Sequence, residues 1–330
     1  MDQNIINHRR TFYPFECQPT VFPALNFNAK ADAEGLHEAM NRFGYNSEKL
    51  INIICHRDIE QRLKIVKEYK TLYGVGLEES LKSKLSGNMR KLVLALITPL
   101  PHFFAKELHD AMYGLGTTES VLIEILCTLT NLAIKYIVAA YEEMYGKSLE
   151  SDLIADTSGH FRKLCVSLLQ GNRDENPEVD INLAKSDANR LFDAGVARWG
   201  TDESVFNAIL VSRSYHHLRQ VFIEYYELTK HTIDHAIEEE FSGDIKKGHL
   251  AIVKCVRNKT AFYAERLYKS MKGLGTDDKS LIRIIVTRSE VDLWDIKSCF
   301  KDLYGGSLEK WITDDTSGDY RKALLAIVRE

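Results

Sequence analysis

Proline is scarce in this chain. Only six prolines occur in 330 residues, and three of them precede Ala24. Proline has no amide hydrogen to give a helix, and its ring collides with the preceding turn. Its rarity leaves nearly the whole body free to be helical. Also missing is any run of eighteen apolar residues, which excludes a predicted membrane-spanning helix. The six cysteines (Cys17, Cys55, Cys127, Cys165, Cys255 and Cys299) include no C-x-x-C pair. Most sit in apolar runs such as Ile53-Ile54-Cys55, which predicts buried free thiols in a reducing compartment, not a disulfide framework or zinc site. The N-terminal stretch with Asn4, Asn7, His8, Arg9 and Arg10 lacks the apolar core of a signal peptide, so a cytosolic protein is expected. Neither sign of charge dominates: 43 basic and 47 acidic residues give a net −4. Such a balance exerts no long-range pull on nucleic acid, nor on an anionic bilayer. Attachment to acidic lipid would need added positive charge.

What is present is repetition, the signal that decides a fold first. Gly114-Leu-Gly-Thr-Thr-Glu-Ser120 resembles Gly273-Leu-Gly-Thr-Asp-Asp-Lys279, Trp199-Gly-Thr-Asp-Glu-Ser204 is a variant, and Arg42-Phe-Gly-Tyr-Asn-Ser-Glu48 is an eroded copy. A second landmark follows in each unit: Lys84-Leu-Ser-Gly87, Asp156-Thr-Ser-Gly159, Glu240-Phe-Ser-Gly243 and Asp315-Thr-Ser-Gly318. Between them come Tyr73-Gly, Tyr145-Gly-Lys-Ser148 and Tyr304-Gly-Gly-Ser307. These landmarks divide the chain into a tail (1–26), repeats at 27–98 and 99–171, a polar connector (172–182), and repeats at 183–257 and 258–330.

Each unit reads as helical throughout. In the fourth, Leu281, Ile282, Ile284, Ile285 and Val286 suit a buried helix, and Leu293, Ile296, Phe300 and Leu303 recur at spacings of three and four. Ser289 is placed to N-cap that second helix, Ser307 to cap a short one ending near Asp315, and Thr276 to cap the helix after the glycines. Tyr320 to Val328 supplies a last apolar helix. With the helix before Met271, each unit has five, and strand-type alternation is weak everywhere. An all-α fold is predicted.

The glycine loops carry the chemistry. In Met271-Lys-Gly-Leu-Gly-Thr-Asp277 the glycines permit positive φ, so carbonyl oxygens can turn into one small space. Neutral hard oxygens suit Ca²⁺, but they need a carboxylate to hold a divalent ion. One lies 40 residues beyond the second glycine each time: Gly116 to Asp156, Gly200 to Glu240, and Gly275 to Asp315. Acids fill 47 of 330 positions, so three independent hits at one offset would arise with a probability of roughly 0.003, shared descent of the repeats aside.

These loops and turns resemble the annexin family, and the resemblance runs from about Phe27 to the C-terminus. It implies four repeats of five short helices in a curved disc, with binding to acidic phospholipids such as phosphatidylserine in the presence of Ca²⁺. It implies three ligand sets: Met112, Gly114 and Gly116 with Asp156; Gly195, Arg198 and Gly200 with Glu240; Met271, Gly273 and Gly275 with Asp315. The carbonyls would ligate in each loop and the carboxylate would close the set, leaving positions open for water or lipid oxygens. The first repeat departs at each informative place. Arg42 stands for a glycine, Tyr45 for the threonine and Lys84 for the carboxylate, so its primary site is expected to be lost, with Arg42 and Lys84 either solvated or touching lipid phosphate.

Other features point to less. Trp199, between two ligand positions, is expected to enter the lipid interface, as Trp favours that boundary; packing on its own loop is the plainer alternative. Tyr145-Gly-Lys-Ser148 lacks the first glycine and preceding strand of a phosphate loop. His216-His217 and His231/His235 lack a zinc-type partner pattern and are expected to be solvent-facing or hydrogen-bonded. Glu107 and Arg283 match positions lining the family's central axis, but Phe104 and Leu129 replace charges expected beside them, which favours structural ion pairing over conduction. In the tail, Thr11 and Tyr13 are candidates for phosphorylation, and Phe12, Tyr13 and Phe15 for a protein partner. No nucleophile–base–orienter set appears among the shared landmarks. The expectation is a non-enzymatic, calcium-dependent membrane binder, recruited from the cytoplasm to the cytosolic face of membranes and open to self-association there. The alternative is a calcium-responsive ion channel or scaffold.

Overall fold

The computed structural model describes residues 17–41, 44–114, 116–195 and 202–329. Among the described residues there are nineteen helices and no strand. In chain order the first repeat holds α1 (Ala29–Asn41), α2 (Ser47–Ile54), α3 (Ile59–Tyr73), α4 (Leu77–Lys84) and α5 (Gly87–Leu96). The second holds α6 (Leu100–Met112), α7 (Glu119–Thr128), α8 (Asn131–Tyr145), α9 (Leu149–Asp156) and α10 (Gly159–Leu169). The third holds α11 (Ile181–Ala194), α12 (Glu203–Ser212), α13 (Tyr215–Thr229) and α14 (Ile233–Glu240). Next comes α15 (Gly243–Met271), which bends at Asn258, where the backbone is extended (φ −157°, ψ 100°). The Asn258 side chain accepts from the Ala261 amide at 3.0 Å, as an N-cap does. This one element is therefore the last helix of repeat three joined to the first of repeat four. The chain then continues through α16 (Asp278–Arg288), α17 (Leu293–Tyr304), α18 (Leu308–Asp315) and α19 (Gly318–Val328).

The repeats assort into two compact units. One contains repeats one and four (residues up to Phe103 and from Tyr263 onward), the other Phe104–Phe262. In the first, α16 packs on α5, and α19 packs on α2 and α5. Leu281, Ile284 and Ile285 are fully buried, as their spacing predicts. Leu293, Ile296 and Phe300 are buried too, whereas Leu303, at the end of the same stripe, is half exposed. In the second unit α10 packs on α7 and α12. Four of the six cysteines are buried, and all six are free thiols. Burial pushes the Cys55 thiol up to about 12, even against the nearby Arg62, so it behaves as a small hydrophobe.

Ser307 caps α18 as expected, accepting from the Lys310 amide. Ser289 does not cap α17. That helix begins after Asp292, and the Ser289 carbonyl instead accepts the Thr20 and Val21 amides at 2.8 and 2.9 Å. Gln61 is bonded both ways with the Ala24 backbone, at 2.9 Å each. Residues 18–24 thus fasten repeat one to repeat four. No described helix is long and apolar enough to cross a membrane.

Candidate metal centre

Each glycine loop is closed by one backbone bond across its neck. Thr118 N donates to Ala111 O at 2.8 Å in repeat two, and Asp277 N to Ser270 O at 2.7 Å in repeat four. Asn46 N to Ala39 O (2.8 Å) and Asp202 N to Ala194 O (2.7 Å) are the counterparts in repeats one and three. Inside the closed loops Gly114 and Gly116 have φ of 129° and 86°, and Gly273 and Gly275 have 115° and 84°. Only glycine adopts this backbone freely, and it is what lets the chain reverse within so few residues.

The partner carboxylates occupy a telling place. Asp156, Glu240 and Asp315 are each the final residue of an eight-residue helix, α9, α14 and α18. A helix C-terminus carries partial negative charge, and an acid there is disfavoured by about 0.3–1 kcal/mol. A cation would reverse that penalty. In repeat one the equivalent last residue of α4 is Lys84, which suits the dipole without any ion.

Thr276 and Thr117 do not cap the following helices. Asp277 is the N-cap of α16, accepting from Ser280 N, and Thr118 is that of α7. The two threonine hydroxyls reach across to the carboxylates. Thr117 Oγ1 lies 2.6 Å from Asp156 Oδ2 and 2.9 Å from the Asp156 carbonyl. Thr276 Oγ1 lies 2.6 and 3.1 Å from the same atoms of Asp315. The expected capping role fails because an N-cap and a cross-loop donor use the same residue type. Just past each acid, Arg162 Nε (2.7 Å) and Arg321 Nε (2.6 Å) hold the Thr157 and Thr316 carbonyls. The carboxylate is thus fixed from both sides.

Repeats two and four thus place the loop threonine within hydrogen-bond reach of the carboxylate. In repeat three Gly195 is the C-cap of α11, and a β-carbon built there would meet the Phe206 ring at 3.4 Å, while Arg198, Trp199 and Gly200 lie outside the described residues. In repeat one Tyr45 turns toward the fourth repeat and donates to Asp319 Oδ2 at 2.8 Å; Arg42 lies outside the described residues, as do Thr11, Phe12, Tyr13 and Phe15. Burial, with the Asp319 hydrogen bond and charge, pushes the Tyr45 hydroxyl up to about 12.

The loops also expose apolar side chains that sequence reading did not single out. Leu274 is completely exposed between Gly273 and Gly275, and Tyr113 is 80% exposed beside Gly114. Leu274 holds the place in its loop that Trp199 holds in the third, and that correspondence was the available signal.

The remaining candidates resolve structurally. His217 is buried, with Nε2 3.2 Å from Asp187 Oδ2, and His231 and His235 pack edge to face. Gly146 and Ser148 are the C-cap of α8 and the N-cap of α9, a helix–helix turn and not a phosphate loop. Arg283 is buried and donates to Ser280 Oγ at 3.0 Å. Among the described residues no three His, Cys, Asp or Glu side chains converge to hold a metal. A cation here would rest on one carboxylate plus backbone carbonyls. That donor set of hard oxygens fits Ca²⁺ and not a softer metal.

A family model described as Annexin matches residues 31–96, 103–168, 186–252 and 262–327. Annexin A7 of Homo sapiens is 49% identical over 311 residues, which make up 94% of this chain and 64% of that protein, so the chain spans less than two thirds of that relative. Annexin A13 of Homo sapiens is 50% identical over 302 residues, 92% of this chain and 96% of that one. Among solved structures, annexin III matches with a TM-score of 0.94 at 46% identity, covering 95% of this chain and 97% of its own. Calcium-bound annexin (Sm)1 matches with a TM-score of 0.86 at 35% identity, covering 95% and 94%. The chain belongs to the annexin family.

Proposed function

We propose that this protein binds acidic phospholipid membranes reversibly and without catalysis, through Ca²⁺ held at three loops. The observation that carries this reading is the recurrent pairing of a left-handed glycine loop with an acid at a helix C-terminus, seen at Asp156 and at Asp315. Met112, Gly114, Gly116 and Asp156 would hold one ion, and Met271, Gly273, Gly275 and Asp315 another. Gly195, Arg198, Gly200 and Glu240 would hold the third. Three carbonyls and a bidentate carboxylate supply about five oxygens of the roughly six to eight that Ca²⁺ takes. Bound Ca²⁺ supplies net positive charge and open coordination positions at each loop. Lipid phosphoryl oxygens complete those positions, and each engaged loop raises the effective concentration of the next. Leu274, Tyr113 and Trp199 then add apolar and interfacial contact with the bilayer. By linkage, lipid strengthens calcium binding as much as calcium strengthens lipid binding.

The net charge of −4 makes calcium the switch, because a chain of that charge has no general attraction for an anionic surface. Vesicle co-sedimentation tests this directly. Binding to phosphatidylserine vesicles is expected with calcium and release with a chelator. The triple variant Asp156→Asn, Glu240→Gln, Asp315→Asn should lose most of the calcium dependence. Binding that persists in chelator, or never occurs with calcium, would overturn the proposal.

A further inference from the structure

Repeat four holds an open cleft of about 530 Å³ where α17, the start of α18 and the end of α19 meet. That volume falls among those of small-molecule sites, about 300–1,000 Å³. Trp294, Lys297 and Lys301 line it from α17, Ser307 and Glu309 from the start of α18, and Arg329 from just past α19. The candidate calcium ligand Asp315 ends α18, whereas Ser307 caps its beginning. Eight residues of helix rise about 12 Å, so the cleft lies at the far end of that helix from the metal centre.

The charges in the cleft do not balance. Lys297 is already engaged: its ammonium lies 2.6 Å from Glu309 Oε1, donates to the Val328 carbonyl at 2.7 Å and sits 4.9 Å from the centre of the Trp294 ring. That pairing neutralises Glu309. Lys301 and Arg329 are exposed, and among the described residues neither has a carboxylate partner. The N-terminus of α18, where the helix dipole places about half a positive charge, borders the same space through Ser307.

The same cleft recurs in repeats two and three, and the comparison isolates what is particular to the fourth. In repeat two it is lined by Lys135, Ser148 and Glu150, and in repeat three by Arg219, Tyr226, Thr232 and Arg257. Matching Tyr145-Gly146 to Tyr304-Gly305 puts Glu142 and Gln170 where Lys301 and Arg329 stand, so the second cleft lacks both cations. In the third, Tyr226 takes the Lys301 place, Arg219 Nε is taken by the Val256 carbonyl at 2.8 Å, and Arg257 pairs with Asp234. Helix packing therefore accounts for the cleft, but not for two cations left in it without an anion. A guanidinium fork and an ammonium brought from separate elements match an anion charged at two neighbouring centres, as adjoining phosphoryl groups are. Trp294 beside them offers apolar surface to an organic remainder.

We propose that this cleft binds a soluble organic di- or triphosphate, Arg329 holding one phosphoryl group and Lys301 its neighbour. The site needs neither calcium nor a bilayer, so it stands apart from the membrane binding proposed above.

Titration calorimetry on the full chain in chelator, with inorganic pyrophosphate as the probe, tests this. Pyrophosphate should bind roughly tenfold more tightly than inorganic phosphate, because its second phosphoryl group gains the second cation. Lys301→Ala and Arg329→Ala should each weaken it about two- to fivefold, the effect of an exposed ion pair. Lys310→Ala and Lys135→Ala remove the same charge outside this cleft and should change nothing. Binding should also alter the tryptophan fluorescence, and Trp294→Phe should abolish most of that change. Equal losses in all four charge variants would mean general electrostatics and would overturn the site. A fluorescence change that survives Trp294→Phe, or no pyrophosphate binding at all, would do the same. Equal affinity for phosphate and pyrophosphate would refute the two-phosphoryl assignment. Adenosine diphosphate should compete with pyrophosphate, and failure to compete would exclude an organic diphosphate. Vesicles carrying a phosphatidylinositol bisphosphate separate the two sources of such phosphates, and in chelator they should not sediment the protein. Sedimentation that Arg329→Ala abolishes would place the phosphates on a lipid and overturn the soluble ligand.

Discussion

Thr276 Oγ1 sits 2.6 Å from Asp315 Oδ2, and its counterpart Thr117 sits 2.6 Å from Asp156 Oδ2. A carboxylate oxygen has two lone pairs. One can accept the threonine hydrogen while the other faces an ion, so the hydroxyl orients the carboxylate without using up its charge. Hydrogen bonds to charged groups contribute about 1.5–3 kcal/mol. Thr117→Val with Thr276→Val should therefore raise the calcium needed for half-maximal vesicle binding, by roughly tenfold at each altered loop. Serine at both positions should restore it. A lowered calcium requirement in the valine variant would mean that the hydroxyl competes with the ion.

That threonine shows where sequence reading stops. Its presence in a Gly-x-Gly-Thr loop was legible, as were the helices, the four repeats and the 40-residue offset to the acid, because each is a periodic or spacing signal. Its bond was not legible. Thr at the start of a helix is a good N-cap by propensity, and only the folded loop shows that Asp277 takes the cap and frees Thr276 to cross. Ser289 departs from expectation for a related reason. Its carbonyl is claimed by Thr20 and Val21, some 270 residues earlier in the chain, and no local pattern encodes such a partner. Tyr45 could be read as the loss of a loop threonine, but its bond to Asp319 depends on the fourth repeat folding against the first.

Gly275 has φ 84°, and a β-carbon built there meets nothing within 4 Å. Substitution by alanine would therefore act through the backbone alone, at about 1–2 kcal/mol for an L-residue held left-handed. Gly116→Ala and Gly275→Ala should displace the loop carbonyls and weaken calcium-dependent binding while the far-ultraviolet helical spectrum stays unchanged. Gly248→Ala is the opposite case, since its β-carbon would collide with Leu164 Cδ2. That variant should lower the thermal midpoint, whatever the calcium concentration.

Asp187 is fully buried and accepts from Arg213 Nε at 2.6 Å, Arg190 at 2.9 Å and His217 at 3.2 Å. Burial alone would raise its pKa; the Arg213 hydrogen bond and charge, with His217 and Arg190, bring it below the ordinary value of 3.8. Its contribution to stability is thus complete above that value and is lost as pH falls through the lower folded one. Asp187→Asn leaves two guanidinium groups short of their anion and should destabilise the unit by about 3–5 kcal/mol, measured by urea unfolding at neutral pH. Wild-type stability should fall toward that of the variant only in strong acid.

His249 titrates in a different window. It is the sixth residue after the glycine that opens α15, and the same places after Gly87, Gly159 and Gly318 hold Val93, Cys165 and Leu324. The ring is fully buried beside Phe206 and Phe241, and neither ring nitrogen has a hydrogen-bond partner. Burial, aided by the charge of His160, lowers its pKa from 6.5 to about 3. The folded protein thus holds this imidazole neutral while the unfolded chain would protonate it. Stability is undiminished above pH 6.5 and declines as pH falls toward the folded value, by about 1.4 kcal/mol per pH unit at the steepest. Between pH 7 and pH 5 the loss from this one group is on the order of 2 kcal/mol. His249→Leu supplies the apolar residue that the fourth repeat already uses, and it removes two unmade hydrogen bonds as well. The variant should be more stable than the wild type at pH 7, and the gap should widen at pH 5 when both are followed by urea unfolding. A gap that is constant with pH would mean that the ring is solvated or paired, and that the third repeat's core is not the acid-sensitive one.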